Sequence, residues 1–124
     1  MLVERIEHKW IDAFERSFAL CGVASGEVAA ILSETQSRRV NVDLARLALE
    51  RMGAHVFELT LTSPRLSAPA PVRSTGASDA IAGLAPVVSA LAAADFVVDC
   101  TVEGLLHAPE LPQIMRGTGD KKPR

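Results

Sequence analysis

At 124 residues, with 48% hydrophobic and 23% charged side chains, the chain has the size and composition of one globular domain, and wholesale disorder is excluded. A formal net charge of −2 gives no electrostatic pull toward nucleic acid or an anionic membrane. No apolar run reaches membrane-spanning length, and the Met1–Lys9 run is too charged for a secretory leader. The expected setting is cytoplasmic.

Residues 2–20 read as an amphipathic helix. Val3, Ile6, Trp10, Ala13, Phe14 and Ser17 recur at helical spacing, and Glu4, Glu7, Lys9, Asp12, Glu15 and Arg16 form the wet side. Trp10, Phe14 and Phe18 read as packing residues, and Gly22 offers a stop. A strand follows from Glu27 to Thr35, and its apolar stretch Val28–Leu32 is too continuous for a half-exposed strand. Such a run suits a parallel sheet covered on both faces. Asn41 offers an N-cap for a second helix through Met52, with Val42, Ala45, Leu49 and Met52 on one face and Gly53 beyond its end. His55 to Thr62 alternates as a strand does. Ser63 to Ala77, rich in Pro, Ser, Ala and Gly, is a long loop. Ser78 then caps a third helix over 79–94, the next strand opens at Phe96, and a short helix spans Glu110 to Met115.

This order, a helix and then β-α-β-α-β, predicts an α/β fold: a three-stranded parallel sheet with helices on both faces. The architecture is a Rossmann-like or flavodoxin-like half with its N-terminal helix first.

Several site signatures are missing. The Gly22–Gly26 stretch precedes the first strand, on the wrong side for a dinucleotide loop, and the first βα turn, Ser33–Arg39, has no glycine. There is no HExxH, no GxSxG and no close Cys/His pair. Cys21 and Cys100 stand apart and read as small buried hydrophobes rather than a disulfide or metal pair. Arg65, Arg73, Ser74, Thr75 and the helix start at Ser78 read as a solvated surface loop or, alternatively, as an anion site.

Chemistry concentrates at the carboxyl ends of the first and third strands, where open α/β sheets bind ligands. Glu34, Ser37 and Arg38 follow the first; Asp99, Cys100, Thr101, Glu103 and His107 follow the third. Strands that are neighbours there would turn these residues onto one crevice. His107 is the best acid–base candidate, because histidine titrates near neutrality; it reads equally as a capping histidine beside Pro109. His8 is expected to be exposed and His55 structural.

Three segments carry a resemblance: Leu61-Thr62-Ser63-Pro64, Pro71-Val72-Arg73-Ser74-Thr75-Gly76, and Thr101 through Glu110. Together they resemble the N-terminal part of the 2,5-dihydroxypyridine 5,6-dioxygenases, which share a fold with the M29 metallo-aminopeptidases. The resemblance implies a mononuclear non-haem Fe(II) enzyme that opens the pyridine ring with O2 to N-formylmaleamate, in nicotinate and hydroxypyridine breakdown. It implies iron held in a C-terminal domain, with no metal ligand contributed from this chain. It also implies a substrate-side histidine, His107, in proton transfer, with Glu103, Arg73 and Ser74 in the same pocket. Residues 1–116 are then expected to be the N-terminal α/β domain of a longer enzyme. Residues 117–124 are expected to be a polar, disordered tail that cannot pair as a strand. That ending suggests a truncated or frameshifted product, inactive alone. Alternatives are the matching piece of an M29-type aminopeptidase and a non-catalytic interaction domain pairing through its open sheet edge.

Overall fold

The computed structural model describes residues 5–64 and 78–124. Its elements, in chain order, are α1 (His8–Leu20), β1 (Val28–Glu34), α2 (Arg39–Arg51), β2 (His55–Leu61), α3 (Ala85–Ala92), β3 (Phe96–Asp99) and α4 (Leu111–Arg116). The strands form one parallel sheet in the order β2-β1-β3. This is the α/β arrangement expected from the sequence, with the helix first.

The central strand explains the core. Six of the seven β1 residues are buried, because the strand has a neighbour on each edge and a helical layer on each face. Side chains alternate across a strand. Ala29 and Ile31 therefore join one cluster with Phe18, Leu44, Leu49 and Phe96, while Ala30 and Leu32 join another with Ile81, Leu91, Leu105 and Ile114. Helices α1 and α2 cover the first face, α3 and α4 the second. Arg51 ties α2 to α1 through Asp12 and Glu15, each at 2.6 Å.

The first helix is rotated relative to the expected face. Ile11 and Phe18 are its buried residues, with Phe14 edge-on to Phe18 at 6.0 Å and Phe18 against Phe96 at 5.4 Å. Trp10 is 48% exposed, with the Lys9 ammonium 5.1 Å from its ring centre. Phe14 and Phe18 thus pack as expected, Trp10 does not, and Ile11, outside the expected face, is buried. Cys21, expected to be buried, is exposed just beyond the helix end.

Two other helices start elsewhere than expected. Arg38 is the N-cap of α2, so Asn41 falls inside the first turn. The third helix does not run from Asp79. Ala80 to Gly83 form a turn with Gly83 at φ 73°, and α3 begins at Ala85 with Pro86 in its first turn. Pro86 has no N–H for a carbonyl one turn back and its ring would collide with it, so a helix can contain Pro86 only at its beginning.

The segment after Met115 returns to the sheet, contrary to the expectation that it cannot pair. Thr118 and Lys121 form a tight antiparallel bridge. Val97 then donates its N–H to the Arg124 carbonyl at 2.8 Å, and Arg124 donates to the Asp95 carbonyl at 3.0 Å. The polar side chains do not prevent this, because an open strand edge offers backbone groups to any extended backbone. Lys121–Asp95 (3.2 Å) and Arg124–Glu27 (2.6 Å) ion pairs fasten the segment. Among the described residues, no helix is long and apolar enough to cross a membrane.

Candidate functional site

The crevice between β1 and β3 follows from the strand order. The chain leaves β1 toward one edge and crosses back to the other, so the topological switch point lies between these two strands. Leu32 is the register partner of Asp99, the last residue of β3. Ser33 and Glu34 therefore project beyond the end of β3, facing the loop that follows it. Strand alternation turns Glu34 to the same side as Ala30 and Leu32, under residues Leu105 and Ala108 of that loop.

The loop is held from several directions. Glu34 is 4% exposed, and its Oε1 accepts the Val102 N–H at 2.6 Å. Ser37 accepts the Glu34 N–H at 2.8 Å and donates to the Cys100 carbonyl at 2.6 Å. Asp99 Oδ1 accepts from the Thr101 N–H (2.9 Å) and hydroxyl (2.6 Å), and its Oδ2 accepts from the Leu105 N–H (2.7 Å). Ser78 donates its N–H to the Gly104 carbonyl at 2.9 Å. On the other side of Glu34, Gln36 donates to Ser63 Oγ and Ser63 donates to Thr35 Oγ1, both at 3.0 Å, joining the ends of β1 and β2.

These contacts sort the sequence candidates. Glu34 and Ser37 do meet the post-β3 segment. Asp99 and Thr101 are occupied with each other and with loop backbone, so their work is to shape the turn. Glu103 is half-buried and His107 exposed, within a turn closed by the Ala108 N–H on the Leu105 carbonyl at 3.0 Å. Arg38 is exposed at the start of α2. Arg73 and Ser74, with the anion reading of their loop, lie outside the described residues. Cys100 is half-buried against the α1/α2 side of the core. Burial, with the Asp99 and Glu58 carboxylates next in weight, pushes its thiol up to about 11, which keeps it protonated and unsuited to nucleophilic work. The sequence placed Ser37 at this crevice; that its hydroxyl bridges Glu34 and Cys100 is set by the tertiary structure.

The described residues do not fit a mononuclear iron centre. No three His, Cys, Asp or Glu among them converge as a metal-holding group. His55 opens β2 at the amino end of the sheet, His107 lies past the carboxyl end of β3, and His8 begins α1. A two-histidine, one-carboxylate site needs its donors at one point.

Comparison with known proteins gives a consistent relation. The family model described as 2,5-dihydroxypyridine 5,6-dioxygenase matches residues 9–120. A solved structure of 2,5-dihydroxypyridine dioxygenase from Pseudomonas putida KT2440 is 29% identical, with a TM-score of 0.78, over 90% of this chain and 33% of that one. This chain thus spans about a third of that protein's length. No curated protein matches. With the family model covering nearly all of the fold and the solved relative sharing its architecture, the chain belongs to the 2,5-dihydroxypyridine 5,6-dioxygenase family.

Proposed function

We propose that this chain supplies the N-terminal α/β unit of an oxidoreductase that opens the ring of 2,5-dihydroxypyridine with O2, yielding N-formylmaleamate in nicotinate and hydroxypyridine breakdown. The observation that carries this reading is the family match over residues 9–120, which contains the whole switch-point crevice. In the proposal the substrate ring lies over that crevice and His107 accepts a proton from a ring hydroxyl, a task suited to an exposed imidazole at the rim. Glu103, on the same segment, and Arg73 with Ser74 contribute polar contacts to the substrate. In the proposal the Fe(II) implied by the resemblance is held by residues other than these. On this reading the chain alone does not turn over substrate.

The test is a graft. Residues 20–115 of this chain replace the matching segment of the Pseudomonas putida enzyme, and ring cleavage is followed by oxygen uptake and product formation. Activity that persists in the graft and falls at least about a hundredfold with His107→Ala supports the proposal, as loss of a general base implies. A folded graft whose activity ignores His107→Ala refutes the role given to His107.

A further inference from the structure

The Val102–Ala108 segment carries Glu103 and His107, and its first residue is held by a side chain of another strand. Glu34 reaches it from β1 and is 4% exposed. One of its oxygens takes the Val102 N–H at 2.6 Å. The other, Oε2, is fully buried with no hydrogen-bond partner among the described residues. A buried carboxyl left half-satisfied is costly, and natural cores ordinarily avoid one. Filling the space alone would be served better by leucine or methionine. Asp99, by contrast, satisfies both its oxygens within its own turn, so it shapes the loop without relating it to β1.

We propose that Glu34 is a positioning residue for His107: by accepting the Val102 N–H it sets the height and angle at which the Val102–Ala108 segment stands over the switch-point crevice. Ser37 supports the arrangement, binding the Glu34 N–H and the Cys100 carbonyl with one hydroxyl. Glu34 is buried, and in the proposal it acts through the backbone it holds. The functional consequence rests on the role proposed above for His107, whereas the anchoring itself does not.

The experiment compares Glu34→Gln and Glu34→Met in this chain by amide hydrogen exchange and by the His107 ring resonances. Glutamine keeps an acceptor for Val102; methionine keeps the bulk and removes it. The expected result is Val102 exchange at least about tenfold faster in the methionine variant, with shifted His107 ring signals and unchanged exchange at Ala30 in the sheet. The glutamine variant is expected to restore both to near the parent values. A folded methionine variant with unchanged Val102 protection and His107 signals overturns the proposal, as does a glutamine variant that loses protection as fully. If the methionine variant does not fold, the glutamine variant decides alone: Val102 protection retained supports the anchor, and protection lost overturns it. Neither readout requires turnover, so a failure of the dioxygenase reading leaves this result standing, and the reverse holds too.

Discussion

The Ser37 hydroxyl and the Cys100 carbonyl, 63 positions apart in sequence, meet at 2.6 Å across the ends of β1 and β3. The same oxygen accepts the Glu34 N–H, so a single side chain closes two backbone groups at the crevice. Ser37→Ala leaves both without their partner. The expected cost is about 1–3 kcal/mol, the penalty for part-buried polar groups that lose their bonds. Urea unfolding checks this: the midpoint falls and the slope stays constant.

The sheet core makes a steeper prediction. Ile31 is fully buried at the centre of β1, packed between the α1/α2 layer and the sheet. Ile31→Ala is expected to destabilise by about 2–5 kcal/mol through lost burial and the cavity left behind. Leu20, 90% exposed at the end of α1, is its control, and Leu20→Ala should change stability by no more than about 0.5 kcal/mol. Equal losses at the two sites would contradict the packing described.

Acid should loosen the C-terminal segment. The Arg124 guanidinium, then the Ala24 N–H, holds the Glu27 carboxyl below its ordinary range, and the Val28 N–H, then Lys121, does the same for Asp95. Carboxyls depressed on folding contribute stability that is complete above their unfolded values and disappears as pH falls through the folded ones. The loss therefore sets in below about pH 4. These pairs are partly exposed, so each is worth only about 0.2–1 kcal/mol. Arg124→Ala should lower stability by that amount at neutral pH and flatten its decline in acid, as a denaturation series from pH 7 to about pH 3 would reveal.

The two cysteines should separate cleanly by reactivity. Cys21 is exposed, while Cys100 is half-buried with its thiol pushed up to about 11. A thiol reagent at neutral pH is expected to label Cys21 rapidly and Cys100 only on unfolding, because the thiolate is the reacting form. Labelling of Cys100 in the folded protein should rise as pH approaches about 11. Equal rates at pH 7, read by mass of the labelled peptides, would be inconsistent with the packed β3 end.

Much of this molecule was legible from residue order. The unbroken Val28–Leu32 run announced a strand buried on both faces, and three strands separated by helical stretches required parallel pairing. The clustering of Glu34, Ser37, Asp99 and His107 after strands pointed to the carboxyl edge, and the segment from Thr101 to Glu110 was one of three that together carried the resemblance. These features are local, or follow from a rule about neighbours in the chain.

Other features depended on partners distant in sequence. Phe18 meets Phe96, from a strand far along the chain, while Trp10, expected to pack as well, is left half exposed. The α2 start moved upstream of Asn41, beside a Ser37 hydroxyl engaged with Cys100. Residues past Met115 found backbone partners on β3 that their polar side chains did not advertise. Periodicity and composition determine which elements form and which faces are apolar, because those depend on short stretches. Tertiary structure alone decided which carboxylate is spent on its own loop and which holds another strand's segment, because a hydrogen bond is assigned by proximity in space and not by order along the chain.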